Sequence, residues 1–95
     1  MWIVYVLSSE IRKIRYVGLT SDLNRRLDEH NSGLTKFTKA YRPWKLVYKE
    51  EFETRLEARN REKYLKSGVG REFLNKILDL YLSADRRSLA GDSVS

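Results

Sequence analysis

Trp2-Ile3-Val4-Tyr5-Val6-Leu7 and Lys13-Ile14-Arg15-Tyr16-Val17-Gly18 are the two stretches that decide the fold of this chain. The first is a continuous apolar run rich in β-favouring residues. Six or seven such residues suit a strand buried on both faces better than a helix. Ser8-Ser9-Glu10 interrupts the run, and the second stretch begins by alternating basic and apolar residues. So short a link makes the pair an antiparallel hairpin. With the loop centred between Glu10 and Ile11, Leu7 faces Ile14, Tyr5 faces Tyr16 and Ile3 faces Gly18. Directly opposed side chains share a face, with Cβ atoms about 4.5–5.5 Å apart. This register therefore sets two tyrosines side by side, and a slip of one residue undoes it.

After Gly18 the pattern changes period. Thr20-Ser21-Asp22 offers N-cap residues for a helix in which Leu23 and Leu27, four apart, form the buried stripe. Arg26 and His30 are also four apart, on a line beside that stripe, and Arg25 points elsewhere. Asn31-Ser32-Gly33 stops the helix. Residues 34–42 are basic and read as a loop with a helical turn. Pro43 precedes a third strand, Trp44 to Tyr48, which runs into Glu50 and Glu51. Thr54 and Glu57 form a capping box for a helix to about Lys66, with Ala58, Glu62 and Leu65 on one face. Ser67-Gly68-Val69-Gly70 reads as a break. A last helix runs from Arg71, with Phe73, Leu74, Ile77, Leu78, Tyr81 and Leu82 at amphipathic spacing. The expected order is β-β-α-β-α-α. Residues 1–82 are expected to form one domain and residues 83–95, poor in large apolar side chains, a disordered tail.

Composition removes several function classes. There is no cysteine, hence no disulfide and no thiolate catalysis or metal site. The single histidine excludes a multi-histidine metal cluster within the chain. No apolar run approaches the roughly 20 residues of a membrane span, and the N-terminal run lacks the basic lead of a signal peptide. The expected setting is soluble and cytoplasmic. The charge points to a partner. Lys and Arg outnumber Asp and Glu by 19 to 13. Residues 11–45 hold nine basic and three acidic residues, which is the whole net charge of +6. A localised basic segment is the footprint of a nucleic-acid binder, although a solvated basic face looks the same.

Individual residues allow two readings each. Arg26 offers a planar fork suited to phosphate, and His30 one turn away can bond the same group or move a proton. Equally, Arg26 can face solvent and His30 can cap a helix C-terminus. Tyr5 and Tyr16 can simply pack, or one can act as a proton acceptor where a nearby cation eases ionisation. Glu62 can be a hard-oxygen ligand for Mg²⁺, or the partner of Lys66 in a pair worth about 0.3–0.5 kcal/mol.

Taken together, Ile3-Val4-Tyr5, Tyr16-Val17-Gly18, the helix Thr20 to Asn31 and the later helix Leu56 to Lys66 resemble the GIY-YIG nuclease superfamily, most closely its small standalone bacterial members. The resemblance covers about Trp2 to Leu78, with Ile3 in place of the first glycine and Val17 in place of the second isoleucine. It implies an α+β fold, a three-stranded antiparallel sheet flanked by helices. It implies hydrolysis of a nucleic-acid phosphodiester with one divalent metal, Mg²⁺ or Mn²⁺, held by Glu62. Arg26 would stabilise the charge of the pentacovalent phosphate. Tyr5 would be the general base, assisted by Tyr16 and His30, and Asn75 is a further candidate near the end of the domain. Arg15, Arg25, Lys36, Lys39 and Arg42 are the expected phosphate grips. The expected activity is a metal-dependent endonuclease on DNA, or on RNA as the second choice, with branched, single-stranded or damaged forms as substrates. The rivals are a non-catalytic nucleic-acid-binding module and a protein-interaction domain using the last helix.

Overall fold

In the computed structural model, which describes residues 1–78, the first apolar run is β1 (Trp2–Ser9), the central strand of a three-stranded antiparallel sheet. It pairs with β2 (Arg15–Thr20) on one side and β3 (Trp44–Phe52) on the other, in the order β2-β1-β3. Between them come α1 (Leu23–Ser32) and the short α2 (Lys36–Lys39), and after them α3 (Arg55–Lys66). A further helix, α4, covers residues 68–78. The class is α+β, as expected. The expected tail at 83–95, with Tyr81 and Leu82, lies outside the described residues. The chain divides into two compact units, Met1–Tyr64 and a second beginning at Leu65. No helix among the described residues is long and apolar enough to cross a membrane.

β1 is buried on both faces, as its continuous apolar run requires: Val4, Val6 and Leu7 are inaccessible and Tyr5 nearly so. Tyr5 and Leu7 share one face with Trp44, against which Ile3, Ile14, Tyr16, Leu23, Leu27, Tyr41 and Leu46 pack. Leu23 and Leu27 are thus only half-buried, and the fully buried residue of α1 is His30. The expected leucine stripe does pack on the core, but α1 turns its deepest contact to a polar ring, because the sheet presents a hydroxyl there.

The hairpin register also differs from the expectation. Tyr5 faces Gly18, Leu7 faces Tyr16 and Ile3 faces Thr20. The loop is centred one residue later, and the pairing is therefore displaced by two. Ser9 is the cause. Its backbone N–H donates to the Ile14 carbonyl at 2.9 Å, and its Oγ accepts from the N–H groups of Ile11 and Arg12 at 3.3 and 3.2 Å. Two residues is one full period of the pleat, so both tyrosines keep the same face. They now sit diagonally, ring centroids 6.2 Å apart.

The other departures have local causes. β3 extends through Glu50 and Glu51 to Phe52, beyond the expected Tyr48. Its charges are paired: Lys49 with Glu51 at 3.7 Å, and Glu50 with the Arg61 Nε at 3.0 and 3.1 Å. Tyr48 donates to Glu50 at 2.6 Å. The glycine-containing stretch after α3 is not a break but the first turn of α4. Ser67 Oγ accepts from Gly70 N–H at 3.2 Å, an N-cap that offsets the poor helix propensity of glycine. The capping hydroxyl of Thr54 accepts from Glu57 N–H at 3.2 Å and donates to its carboxylate at 2.8 Å.

Gly18 is where the sheet tolerates no side chain. A Cβ there would overlap the Tyr5 Oη and Cζ and would stand 2.9 Å from a Tyr16 ring carbon. A Gly18→Ala variant is expected to lose about 1–3 kcal/mol of stability by overpacking, read as a lower midpoint in urea with an unchanged slope. A midpoint within error of the wild type would contradict the packing described.

Candidate active site

Tyr5, Tyr16, Arg26 and His30 come together on the α1 side of the sheet. Two of them are placed by β-strand parity and two by the i,i+4 spacing of α1. The N-terminus of α1 is fixed by Asp22, whose carboxylate accepts from Arg25 N–H at 3.2 Å. Its end is fixed by Gly33, at φ +87°, and by Asn31, which bonds the Trp44 backbone at 2.6 and 3.2 Å. Both rows of residues therefore face one another across a set distance.

At the centre is a buried hydrogen bond of 2.9 Å between Tyr5 Oη and His30 Nε2. The direction of its proton follows from the next partner. His30 Nδ1 lies 2.9 Å from Thr38 Oγ1, and Thr38 donates its only hydroxyl proton to the Thr35 carbonyl at 3.3 Å. Nδ1 must then be the donor to Thr38, which leaves a lone pair on Nε2 for the Tyr5 phenol to donate into. Burial holds His30 below its ordinary pKa, the nearby Arg26 charge adds to this, and Glu29 opposes it. A neutral imidazole with its proton on Nδ1 satisfies every group in the chain, and among the described residues no buried side-chain polar atom lacks a partner.

Arg26 lies beside the phenols. Its Nη1 donates to Glu29 at 2.9 Å, and its guanidinium is held above its ordinary range first by Glu29 and then, against desolvation, by Tyr5 and Tyr16. Glu29 in turn is pulled below the usual carboxylate range, chiefly by Arg26. The Tyr5 phenol is pushed up to about 12: burial raises it, the bond to Arg26 lowers it, and the charge of Glu62 raises it. Resting Tyr5 is therefore a neutral phenol, 1 % exposed, while Arg26 and Tyr16 form the accessible rim.

Glu62 stands half-buried on α3, on the face that buries Ala58 and Leu65. Its negative charge is felt at Tyr5. α3 is anchored by the neighbouring Arg61 through Glu50 and by Arg55, whose guanidinium lies 5.5 Å over the Trp2 ring. Among the described residues, no three of His, Cys, Asp and Glu cluster to cage a metal. A lone hard carboxylate nonetheless fits Mg²⁺ or Mn²⁺, which commonly use one or two carboxylates and complete their shell with water and substrate phosphate. Of the expected phosphate grips, Lys36, Lys39 and Arg42 are exposed, Arg15 is half-buried on β2, and Arg25 is exposed and bonded to Glu29 at 3.3 Å. The Arg42 guanidinium lies against Gly33. Asn75 is exposed on α4, in the second unit.

Sequence reading missed Thr38 and Glu29. Glu29 had a signal, standing three residues after Arg26 and four after Arg25. Thr38 had none, because it reaches His30 from a separate four-residue helix.

The hydrogen-bond chain makes two expected outcomes. Ring ¹⁵N shifts at neutral pH will place the His30 proton on Nδ1. Because the folded pKa is depressed, the contribution of His30 to stability is present above its ordinary value of 6.5 and is lost as pH falls through the folded value. Urea midpoints of the wild type will drop in that window, and those of His30→Gln will not. A separate drop below 4.5, from Glu29, will remain in both. Equal acid sensitivity of the two proteins within the His30 window, from pH 6.5 down to the folded value, would contradict a buried neutral ring.

Residues 1–76 match the sequence profile described as the GIY-YIG catalytic domain. The chain is 38 % identical over 74 residues to the UPF0213 protein YazA of Bacillus subtilis, covering 77 % of this chain and 70 % of the relative. It is 42 % identical over 64 residues to a UPF0213 protein of Clostridium perfringens, covering 66 % and 68 %. The solution NMR structure of the UPF0213 protein BH0048 from Bacillus halodurans is similar to it with a TM-score of 0.50 and 32 % identity, covering 81 % of this chain and 85 % of that one. A match over residues 1–76, most of the chain, taking in the two strands and two helices that bear Tyr5, Tyr16, Arg26 and Glu62, shows that the chain belongs to the GIY-YIG nuclease family.

Proposed function

We infer that the protein is a divalent-metal-dependent endonuclease that hydrolyses a phosphodiester bond of DNA. The observation that carries this reading is the buried Tyr5–His30 hydrogen bond with Arg26 across its mouth. A proton acceptor backed by a second acceptor, beside a fixed cation, is what attack of water on a phosphate diester needs.

The roles follow from the atoms present. The phosphate docks on Arg26, whose fork matches two of its oxygens and stabilises the charge of the pentacovalent transition state. Water attacks phosphorus. Its proton goes to Tyr5 Oη as the phenol proton passes to His30 Nε2; the bond to the leaving oxygen breaks with its electron pair, and that oxygen takes a proton from solvent. Tyr5 need not exist as a free phenolate, which its raised pKa disfavours. Thr38 keeps Nδ1 protonated, so that the acceptor nitrogen is the one facing Tyr5. Tyr16, 4.8 Å from the His30 ring and 6.2 Å from the Tyr5 ring, shields the relay. Glu62 would hold Mg²⁺ or Mn²⁺, which when bound neutralises phosphate charge and activates water.

A second reading, a nucleic-acid-binding module without turnover, draws on the near-complete burial of Tyr5 and the engagement of Arg26 by Glu29. Incubation with single-stranded, branched and duplex DNA and Mg²⁺ or Mn²⁺ separates the two. Hydrolysis by the wild type is expected, with Arg26→Ala and Glu62→Ala each slower by on the order of 10²-fold or more. The rate will fall on acidification as His30 takes a proton, because the charged ring cannot accept from Tyr5. His30→Ala will be slower and will lack that acid limb. Turnover equal in all variants, or none in the wild type, would sink the hydrolytic reading.

A further inference from the structure

Four residues are too few to make a helix stable in isolation. α2 exists because it is held from within: His30 bonds Thr38 Oγ1, and the Trp44 indole N–H donates to the Thr38 carbonyl at 2.8 Å. Thr38 is accordingly 0 % exposed. Fixing that one residue inward fixes its neighbours outward. Phe37 is left 54 % exposed, its ring 6.3 Å from that of Tyr16 and 5.5 Å from that of Tyr41. An aromatic ring is thus held open to solvent on a rigid mount, directly beside the candidate active site.

Its surroundings are cationic. Residues 30–49 contain five lysines and arginines and no acidic residue. Lys36 and Lys39 flank Phe37 on α2, and both are exposed. Phe37 carries no hydrogen-bonding group, so it can read neither the edge of a base pair nor a sugar hydroxyl. What it offers is a flat apolar face among cations, which is the chemistry of a stacked base between two phosphates. In a duplex the faces of the bases are covered by their neighbours; in a single strand they are free.

We propose that Phe37 is a stacking platform for an unpaired nucleobase, with Lys36 and Lys39 taking the phosphates on either side, so that the substrate of this site is single-stranded where it meets the protein. The proposal rests on the nucleic-acid reading of the site and narrows it. The base stacked on Phe37 belongs to a nucleotide neighbouring the phosphate at Arg26 and Tyr16, because the Phe37 and Tyr16 rings are in contact. Leu34, three residues earlier in the chain, is also exposed. Isolated patches of that kind are ordinary on monomers, and the unbroken run of cations favours a polyanion over a second copy of the chain.

The test uses the full chain without divalent metal, so that binding is read apart from cleavage. The probes are a labelled oligothymidylate about 15 nucleotides long and its duplex with oligodeoxyadenylate, titrated by fluorescence anisotropy at several salt concentrations. Phe37→Ala is expected to weaken single-strand binding roughly 5- to 100-fold, with an unchanged salt slope and unchanged duplex binding. Phe37→Tyr is expected to keep the affinity. Lys36→Ala is expected to weaken both probes and lower the salt slope by about one. Phe37→Ala binding the single strand as the wild type does, or weakening both probes equally, overturns the proposal. So does a wild type that binds no single strand, or a self-association lost in Phe37→Ala while DNA binding is untouched. Tight Phe37-dependent binding with no hydrolysis on adding Mg²⁺ would instead overturn the hydrolytic reading and leave the platform standing.

Discussion

The Tyr5 ring can lie across β2 only because residue 18 has no side chain. That steric allowance underlies the whole site. With the ring laid over Gly18, the Tyr5 hydroxyl reaches the line of α1 on which His30 stands, and the 2.9 Å bond between them closes. With the ring displaced, His30 would be a buried imidazole without an acceptor or donor on one nitrogen, a costly state in an apolar surrounding. The tyrosine, the glycine and the histidine are therefore one packing unit, and the candidate site and the stability of the fold draw on the same contact.

That unit has an outer layer. Thr38 fixes the tautomer of His30 and, through the same backbone turn, holds α2 against Trp44. Glu29 fixes Arg26 beside the phenols. Arg61 anchors α3 to the sheet through Glu50, one residue before Glu62. His30, Arg26 and the helix of Glu62 each thus have a partner that holds them in place, the arrangement expected of a preorganised site.

Most of the fold was legible because β1 is apolar throughout and α1 and α3 have clear caps at Asp22, Gly33 and Thr54. The hairpin register was legible only to its parity: both tyrosines fell on the expected face, but the loop centre depended on Ser9 bonding the loop backbone, which no pattern of apolar residues reports. The helical start at Gly68 was hidden for a related reason, since Ser67 supplies a cap that glycine propensity argues against. Within the candidate site, strand parity and i,i+4 spacing picked out Tyr5, Tyr16, Arg26 and His30. They did not show that His30 is buried and not capping a solvated helix end, because that depends on a hydroxyl brought by another strand. Helix spacing singled out Glu62 by placing it on the face of Ala58 and Leu65, but only the family resemblance favoured the metal-ligand reading over a pair with Lys66.

The sheet has one further property. Among the described residues β3 has a strand neighbour on one side only, and it is nine residues long. A long edge of that kind invites a second chain to add to it, the first step of aggregation. Here the register against β1 jumps between Val6 and Leu7, leaving Val47 as an extra residue that bends the strand. Lys45, Lys49 and Glu51 place exposed charges along the same edge. The bulge and the charges that look like irregularities in the ladder thus both oppose the addition of a second chain along that edge.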